Sequence, residues 1–376
     1  MVLVSGDFVP FGGMDAGNWA LAKHLACDES IELHLVAHRI HDDIAASANV
    51  RFHKVNKPLN SNFLGFPCLA IRARKVIKRH MPDRVRVLVN GANTMGQDAS
   101  WVHYLHAVHE PIPGARLSSR FLARIHHTVY LECERRWLPH NKTIFANSLR
   151  TKQDIISHYS IDPHRVHVIY YGSDPARFHP STQDERSSIR QDLGVGNDEL
   201  VAIFIGALGD RRKGFDVVYE AWNQLHLSHS LNIKLLVVGT GKDVPHWELR
   251  AQLDGLDQKI QFLGFRKDVE KLLAMSDLMV HPARYEAYGL AVQEALCCGV
   301  PAIVSANAGV VERFSDGLKS LQLRSADSVE ELVDALKLWS ARRSEFSAQA
   351  MRIGERLREV TWNRMAQSLT SVWLYR

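Results

Sequence analysis

Residues Arg284–Pro301 read RYEAYGLAVQEALCCGVP, and this stretch decides the fold class. An apolar run, Leu278–His281, precedes it as a strand, and a helix begins near Gly289. The free N–H groups and positive dipole end of a helix N-terminus favour a phosphate. Glu286 sits just before that helix and Glu294 lies inside it. Eight residues of helix span ~12 Å, too far for two carboxylates to act on one bond. A paired-carboxylate hydrolase is therefore disfavoured. The spacing suits one carboxylate on each side of a bound pyrophosphate, one facing sugar hydroxyls and the other ribose hydroxyls. That is the outline of a nucleotide-sugar.

Outward from this stretch, apolar strand candidates alternate with amphipathic segments. The first half offers Val2–Ser5, Leu33–Ala37, Val85–Asn90, Trp101–Leu105, Thr143–Ala146 and Val166–Ile169. The second offers Val201–Ile205, Ile233–Val238, Ile260–Leu263, Leu278–His281 and Ala302–Val304. Continuous apolar strands between helices indicate parallel sheets covered on both faces. Two such series in 376 residues predict an α/β chain of two doubly wound, Rossmann-like domains. We place the domains at 1–178 and 179–355, with a helix over 356–376 packing back on the first. The polar stretch Asp174–Ser188 reads as the linker.

Composition narrows the class further. At 46% hydrophobic and 23% charged the chain is globular. Its longest apolar run, Leu200–Leu208, is far below the ~20 residues of a spanning helix. The opening MVLVSGDFVP reads as a first strand rather than a signal peptide. Five cysteines without metal-ligand spacing fit a reduced, cytoplasmic setting. Residues 1–178 carry 22 Lys and Arg against 15 Asp and Glu, and the remainder carries 24 against 26. The first half is therefore the basic one, suited to an acidic substrate or an anionic surface. G-x-G-x-x-G is absent after the first strand, which disfavours a dinucleotide dehydrogenase. Gly239-Thr-Gly-Lys lacks the spacing of an NTPase phosphate loop.

Several motifs, in order, resemble the GT4 family of retaining glycosyltransferases. They are FGGMDAGNWALAKHL, ANSLRTKQDI, VIYYGSDPARFHP, FIGALGDRRKGFDVVYEAW, LLVVGTGKD, IQFLGFRKDVEKLLAMSDLMVHP and EAYGLAVQEALCCGVPAIVS. The resemblance implies a GT-B fold, with two domains facing a cleft, donor on the C-terminal domain and acceptor on the N-terminal one. It assigns Glu286 to the transferred sugar's hydroxyls, and the amides of Ala287, Tyr288, Gly289 and Leu290 to sugar and phosphate. Glu294 would hold the ribose. Lys213 would neutralise the leaving diphosphate. Phe265 and Arg266 fall in the nucleoside-binding stretch. Two positions depart from the pattern. Ala207 stands where the family carries Arg, so Arg211 or Arg212 would supply that charge, with Arg212 preferred. Tyr171 stands where Asn usually precedes the Gly.

On the acceptor side, Gly12 and Gly13 follow strand one and let a backbone approach diphosphate and acceptor. Asp15 and Asn18 would border the acceptor pocket, with Asn93 a weaker candidate. The resemblance calls for one His at the next strand end near the donor sugar. His106 matches best and His103 is second. The run Arg72–His80, RARKVIKRH, reads as a solvated helix face or as a contact for an anionic leaflet or a phosphorylated acceptor. No DxD motif stands in a donor-like position, so metal-independent transfer with no cofactor is expected, and no nucleic-acid partner. The acceptor would be a glycan, a lipid-linked glycan or a small hydroxyl compound of cell-surface glycoconjugate synthesis. Two rivals are a UDP-sugar 2-epimerase of the same fold and a non-catalytic nucleotide-sugar binding protein.

Overall fold

The computed structural model describes residues 1–80, 85–95, 98–109, 117–209 and 211–374. The chain forms two compact units: one gathers the residues up to Gly172 with those from Val360 onward, and the other spans Ser173–Glu359. The first boundary lies a few residues before the expected 178. The helix Arg343–Glu359 belongs wholly to the second unit, and Trp362–Leu374 to the first.

The first unit is built on a seven-stranded sheet. Its strands are β1 (Val2–Val4), β2 (Leu33–Ala37), β3 (Val50–Lys54), β4 (Val87–Asn90), β5 (Ala99–Val102), β6 (Thr143–Ala146) and β7 (Val166–Val168). All pair in parallel, in the order β3-β2-β1-β4-β5-β6-β7. The order reverses direction beside β1, which is the switch point of a doubly wound sheet. β-Branched residues at Val2, Val4, Val36, Val87 and Val89 face Leu69, Ala73 and Val76 of the helix Asn62–His80 to form one core.

The second unit repeats the plan with β8 (Leu200–Ile205), β9 (Ile233–Val238), β10 (Ile260–Gly264), β11 (Leu278–His281), β12 (Ala302–Ser305) and β13 (Gln322–Leu323). Their order is β10-β9-β8-β11-β12-β13, again parallel throughout. The chain is thus α/β with two Rossmann-like sheets.

Several sequence expectations differ from the structure, among them the short edge strand β13, which was not anticipated. β3 was not anticipated, because VRFHK is an edge strand with only Val50 fully buried and so lacks a continuous apolar run. The strand expected over Trp101–Leu105 is Ala99–Val102, so His103 stands just past its end. The expected linker 174–188 holds the start of a helix, Gln183–Asp192. Thr182 and Glu185 form its capping box. Among the described residues no helix is long and apolar enough to cross a membrane.

The helix Trp362–Leu374 closes the first unit. Asn363 meets His24 at 2.9 Å, and the Trp373 indole donates to Asp98 at 3.1 Å. Gly172 makes that docking possible, since a Cβ there would stand 2.5 Å from the backbone of Trp362. Gly172→Ala should therefore destabilise the first unit by about 1–3 kcal/mol, read as a lower denaturation midpoint with earlier proteolytic cleavage near residue 360. An unchanged midpoint would show that this backbone contact is dispensable.

Candidate donor site of the second unit

The site begins at the C-terminal edge of β8. After Ile205 the chain passes Gly206 and Ala207, makes a short 3-10 turn, Arg211–Lys213, and enters the helix Phe215–Ser228. Gly214 joins turn to helix at φ 74°, and a Cβ there would lie 2.0 Å from the carbonyl oxygen of Pro282. Only glycine fits that conformation and that gap. The turn is thereby pressed onto the loop that follows β11.

Arg284 fastens the same junction. Its guanidinium donates to both carboxylate oxygens of Asp216 at 2.8 and 2.9 Å, to Asp327 at 2.6 Å and to the Arg211 carbonyl, while its amide donates to the Arg212 carbonyl at 2.8 Å. The clamp brings Lys213 Nζ onto Glu286 Oε2 in a charged hydrogen bond. His281, the last residue of β11, reaches the same oxygen from Nε2 at 2.9 Å. Arg212 donates to the Tyr285 carbonyl at 3.3 Å. With 16% and 14% of their side-chain surfaces exposed, Lys213 and Glu286 are largely withdrawn from water. Burial opposes ionisation of Glu286, but Lys213, the His281 hydrogen bond and Arg212 outweigh it and hold the carboxyl well below the usual carboxylate range. Burial lowers His281, with Glu286 opposing.

The helix Leu290–Cys297 starts beside this cluster, with Gly289 as N-cap at φ 110°. The approach loop is pinned by Gly309 N–H to the Glu286 carbonyl at 3.2 Å and Val310 N–H to the Tyr288 carbonyl at 2.7 Å. The Tyr288 hydroxyl donates to Gln293. The backbone of Ala287, Tyr288, Gly289 and Leu290 therefore forms a fixed lip at a helix start, next to a lysine and an arginine. Glu294 lies half-buried one turn in. Burial pushes its carboxyl up to about 8, with Arg177 opposing and Glu270 adding to the rise. Arg177 is itself held by Glu270 at 2.7 Å.

The structure brings Lys213, Arg212, Glu286 and the Ala287–Leu290 lip together. It takes Arg211 elsewhere, onto Asp216. Arg266 is engaged by Asp268 at 2.6 Å, and Phe265 beside it is exposed. Sequence reasoning missed His281, Asp216 and Arg284. His281 was findable as the terminal residue of a strand aimed at the motif. Asp216 and Arg284 lie 68 residues apart in the chain, and no local pattern links them.

The acceptor-side candidates lie in the first unit. Gly12 caps the helix Gly13–Ala26 at φ 82°. Asp15, in its first turn, is raised to about 6 by burial and by Asp7, against Arg39 and Lys57. Asn18 is buried, and its amide donates back to the Met14 carbonyl at 3.0 Å. Asn93 follows β4, partly buried, its amide on the Asn90 carbonyl. Each of the two candidate histidines has its Nδ1 on a neighbour. His106 lies in a 3-10 turn with its Nδ1 and its backbone amide on Glu134 at 2.7 and 2.8 Å, and that carboxylate also takes the Tyr159 hydroxyl. His103 stands at the strand end, buried, with Nδ1 2.6 Å from the Tyr171 hydroxyl. Of the run Arg72–His80, the basic side chains Arg72, Arg74, Lys75, Lys78 and Arg79 are exposed on the helix Asn62–His80 while Ala73 and Val76 face the core, and the His80 side chain falls outside the described residues.

Two α/β units, each on a parallel Rossmann-like sheet, are the architecture of GT-B proteins. Comparison gives the family. Residues 11–177 match Glycosyltransferase Family 4 and residues 185–359 match Glycosyl transferases group 1, and the chain belongs to this family 4 type of group 1 glycosyltransferases. It is 30% identical to the lipopolysaccharide glucosyltransferase WaaG of Escherichia coli, over 58% of this chain and 58% of that protein. The chain spans about half to three fifths of the length of the curated relatives it matches. Among solved structures, WaaG superposes with a TM-score of 0.80 at 20% identity, covering 99% of each chain. Anabaena HepE in complex with UDP-glucose gives 0.72 at 17%, covering 99% and 98%.

The Glu294 carboxyl has a pH signature. Its ordinary value of 4.5 is raised to about 8 in the fold. Between those limits the folded chain keeps a proton that the unfolded chain has lost, so this group's contribution to stability falls as pH rises through the window. Denaturation of wild type and Glu294→Gln from pH 5 to 8.5 should show wild type losing stability relative to the variant up to about pH 8 and levelling above it. Parallel curves would mean that Glu294 ionises normally.

Proposed function

We propose that this chain is a retaining glycosyltransferase that moves a sugar from a nucleoside-diphosphate sugar to a hydroxyl acceptor. The observation that carries the reading is the Lys213–Glu286–His281 cluster at the start of the helix Leu290–Cys297, with Arg212 alongside. Lys213, Arg212 and the helix amides form a cationic seat for a leaving diphosphate, whose growing charge is what the transition state must stabilise. Glu286, kept ionised by its neighbours, accepts hydrogen bonds from the hydroxyls of the transferred sugar. Glu294 serves the ribose. Lys213 rests on Glu286, and donor oxygens would take over that bond. A cationic seat of this kind performs the charge neutralisation that other transferases assign to a divalent ion, so the reaction is read as metal-independent and without cofactor. The relatives named for glucosyl transfer to lipopolysaccharide and the neighbour bound to UDP-glucose support a nucleotide-sugar donor and a glycan acceptor.

We also read the chain as a cytoplasmic protein that meets an anionic membrane face. Arg72, Arg74, Lys75, Lys78 and Arg79 are exposed, as are Phe121, Leu122 and Ile125 on the helix Leu117–Trp137. The two helices pack through Phe63 on His126 and Phe66 on Tyr130. Basic and apolar side chains together are the chemistry of interfacial binding.

Two measurements test these readings. A panel of UDP- and GDP-sugars should yield one that is slowly hydrolysed to the diphosphate. On it Lys213→Ala should lower kcat by ~10²–10³, and wild-type turnover should survive EDTA. Full activity in the variant, or loss on chelation with rescue by Mn²⁺, sinks the mechanism, and a C2 epimer formed from donor alone points to an epimerase. Sedimentation with vesicles should show binding to phosphatidylglycerol-rich but not neutral membranes, weakened by Lys75→Glu with Lys78→Glu. Equal binding to both vesicle types overturns the membrane reading.

A further inference from the structure

A cavity of about 310 Å³ opens at the C-terminal edge of the first unit's sheet. Phe11 reaches its wall from the loop after β1, Arg39 and Asp42 from the loop after β2, and Phe52 and Lys54 from β3. A short parallel ladder, Asp7–Phe8 with Arg39–Ile40, ties the first two loops together beyond the ends of β1 and β2. Side chains two apart on a strand share a face, so Phe52 and Lys54 turn to the cavity together. Phe11 is 53% and Phe52 37% exposed, which leaves two phenyl rings uncovered on one wall. The polar groups beside them are of both signs. Arg39 donates to the buried Asp7 at 2.7 Å, its one hydrogen bond among the described residues. A guanidinium carries five N–H groups, so the fork is anchored with donors to spare. Lys54 is exposed and forms no ion pair among the described residues, and the Asp42 side chain is exposed as well.

The volume stands at the small end of ligand cavities, which run from ~300 to 1,000 Å³, so it suits one ring-sized group rather than a nucleotide. A compact anion would meet the Asp42 carboxylate and leave both phenyl rings unused. A wholly apolar ligand would strip water from Arg39, Lys54 and Asp42 without return. A sugar ring satisfies both parts of the wall. Its C–H face packs on an aromatic ring, and its hydroxyls donate to Asp42 and accept from Arg39 and Lys54. The cavity lies on the β2–β3 flank, whereas the sheet order reverses on the other side of β1, where a doubly wound sheet holds its principal ligand. Phe11 nevertheless directly precedes Gly12, the cap of the helix Gly13–Ala26. We propose that this cavity is a distal acceptor subsite, seating a sugar residue of a glycan acceptor beside the residue that receives the transferred sugar. The proposal rests on the transferase reading above and narrows the acceptor to an oligosaccharide. Binding of the distal residue would orient the reacting hydroxyl.

The test uses an array of oligosaccharides printed beside the monosaccharides that compose them. Fluorescently labelled full-length chain should bind some oligosaccharides about tenfold or more tightly than their monosaccharides, and Phe11→Ala and Phe52→Ala should each weaken that binding about tenfold. Both rings are exposed, so neither truncation opens the core. Lys54→Gln leaves the rings in place and should weaken the same binding roughly fivefold to tenfold. On the nucleotide-sugar that the wild type turns over, Phe52→Ala should lower transfer to those oligosaccharides about tenfold relative to donor hydrolysis, through the KM for acceptor. Oligosaccharides that do no better than monosaccharides, whether both bind or neither does, overturn the proposal. So do binding or a transfer-to-hydrolysis ratio that the substitutions leave unchanged. Tightest binding to phosphorylated or carboxylated sugars at any chain length makes the cavity an anion site and overturns it equally. Array binding is read without donor, so its failure is distinct from failure of the transferase reading, which Lys213→Ala decides.

Discussion

The second unit turns on one buried charge arrangement, the ion pair of Lys213 with Glu286. A carboxylate and an ammonium so far withdrawn from water would each be costly alone. They persist because the backbone holds them together: Gly214 lets the lysine turn touch the Pro282 carbonyl, and Arg284 binds that turn to the loop carrying Glu286. On the proposed function, the arrangement is pre-organised for an anion. The lysine is fixed in position by the fold, and the same contacts that fix it also hold the Glu286 carboxyl well below the usual carboxylate range.

The sequence made this fold legible because both units obey local rules. Parallel strands buried on two faces need continuous apolar runs, and β1, β2, β8, β9 and β11 supply them. The glycines at 12, 214 and 289 mark backbone that other residues adopt poorly. Edge elements were harder to read. β3 carries exposed Arg51 and Phe52, because one of its sides faces water and the selection for apolar residues is relaxed there. The segment after Asp174 looked like a linker because its helix is polar. Its helical state is set by the Thr182–Glu185 cap and by Arg190, which is buried against the Met275 carbonyl and Asp277.

Side-chain placement was legible only where a motif fixed the spacing. Glu286 and Lys213 were placed from the pattern around them, whereas the pattern could not separate Arg211, which bonds Asp216, from Arg212, which bonds the Tyr285 carbonyl beside Glu286. The histidines show the limit. WVHYLHAVHEP offers three at similar spacing. Their surroundings are set by where β5 stops and by Glu134, 28 residues further on, which bonds His106 Nδ1. Likewise, nothing near Tyr171 in sequence announces His103, which is 68 residues away.

The docking of Trp362–Leu374 on the first unit also has a consequence for biosynthesis. The element that closes this unit is made only after all of Ser173–Glu359. At ~5–20 residues per second, the ribosome takes roughly ten to forty seconds to cross that interval. For that time the face of the helix Gly13–Ala26 and the Tyr171 ring that Trp362 will cover lack their partner. The second unit has all its strands and can fold as it emerges, so the N-terminal half of this protein is finished last.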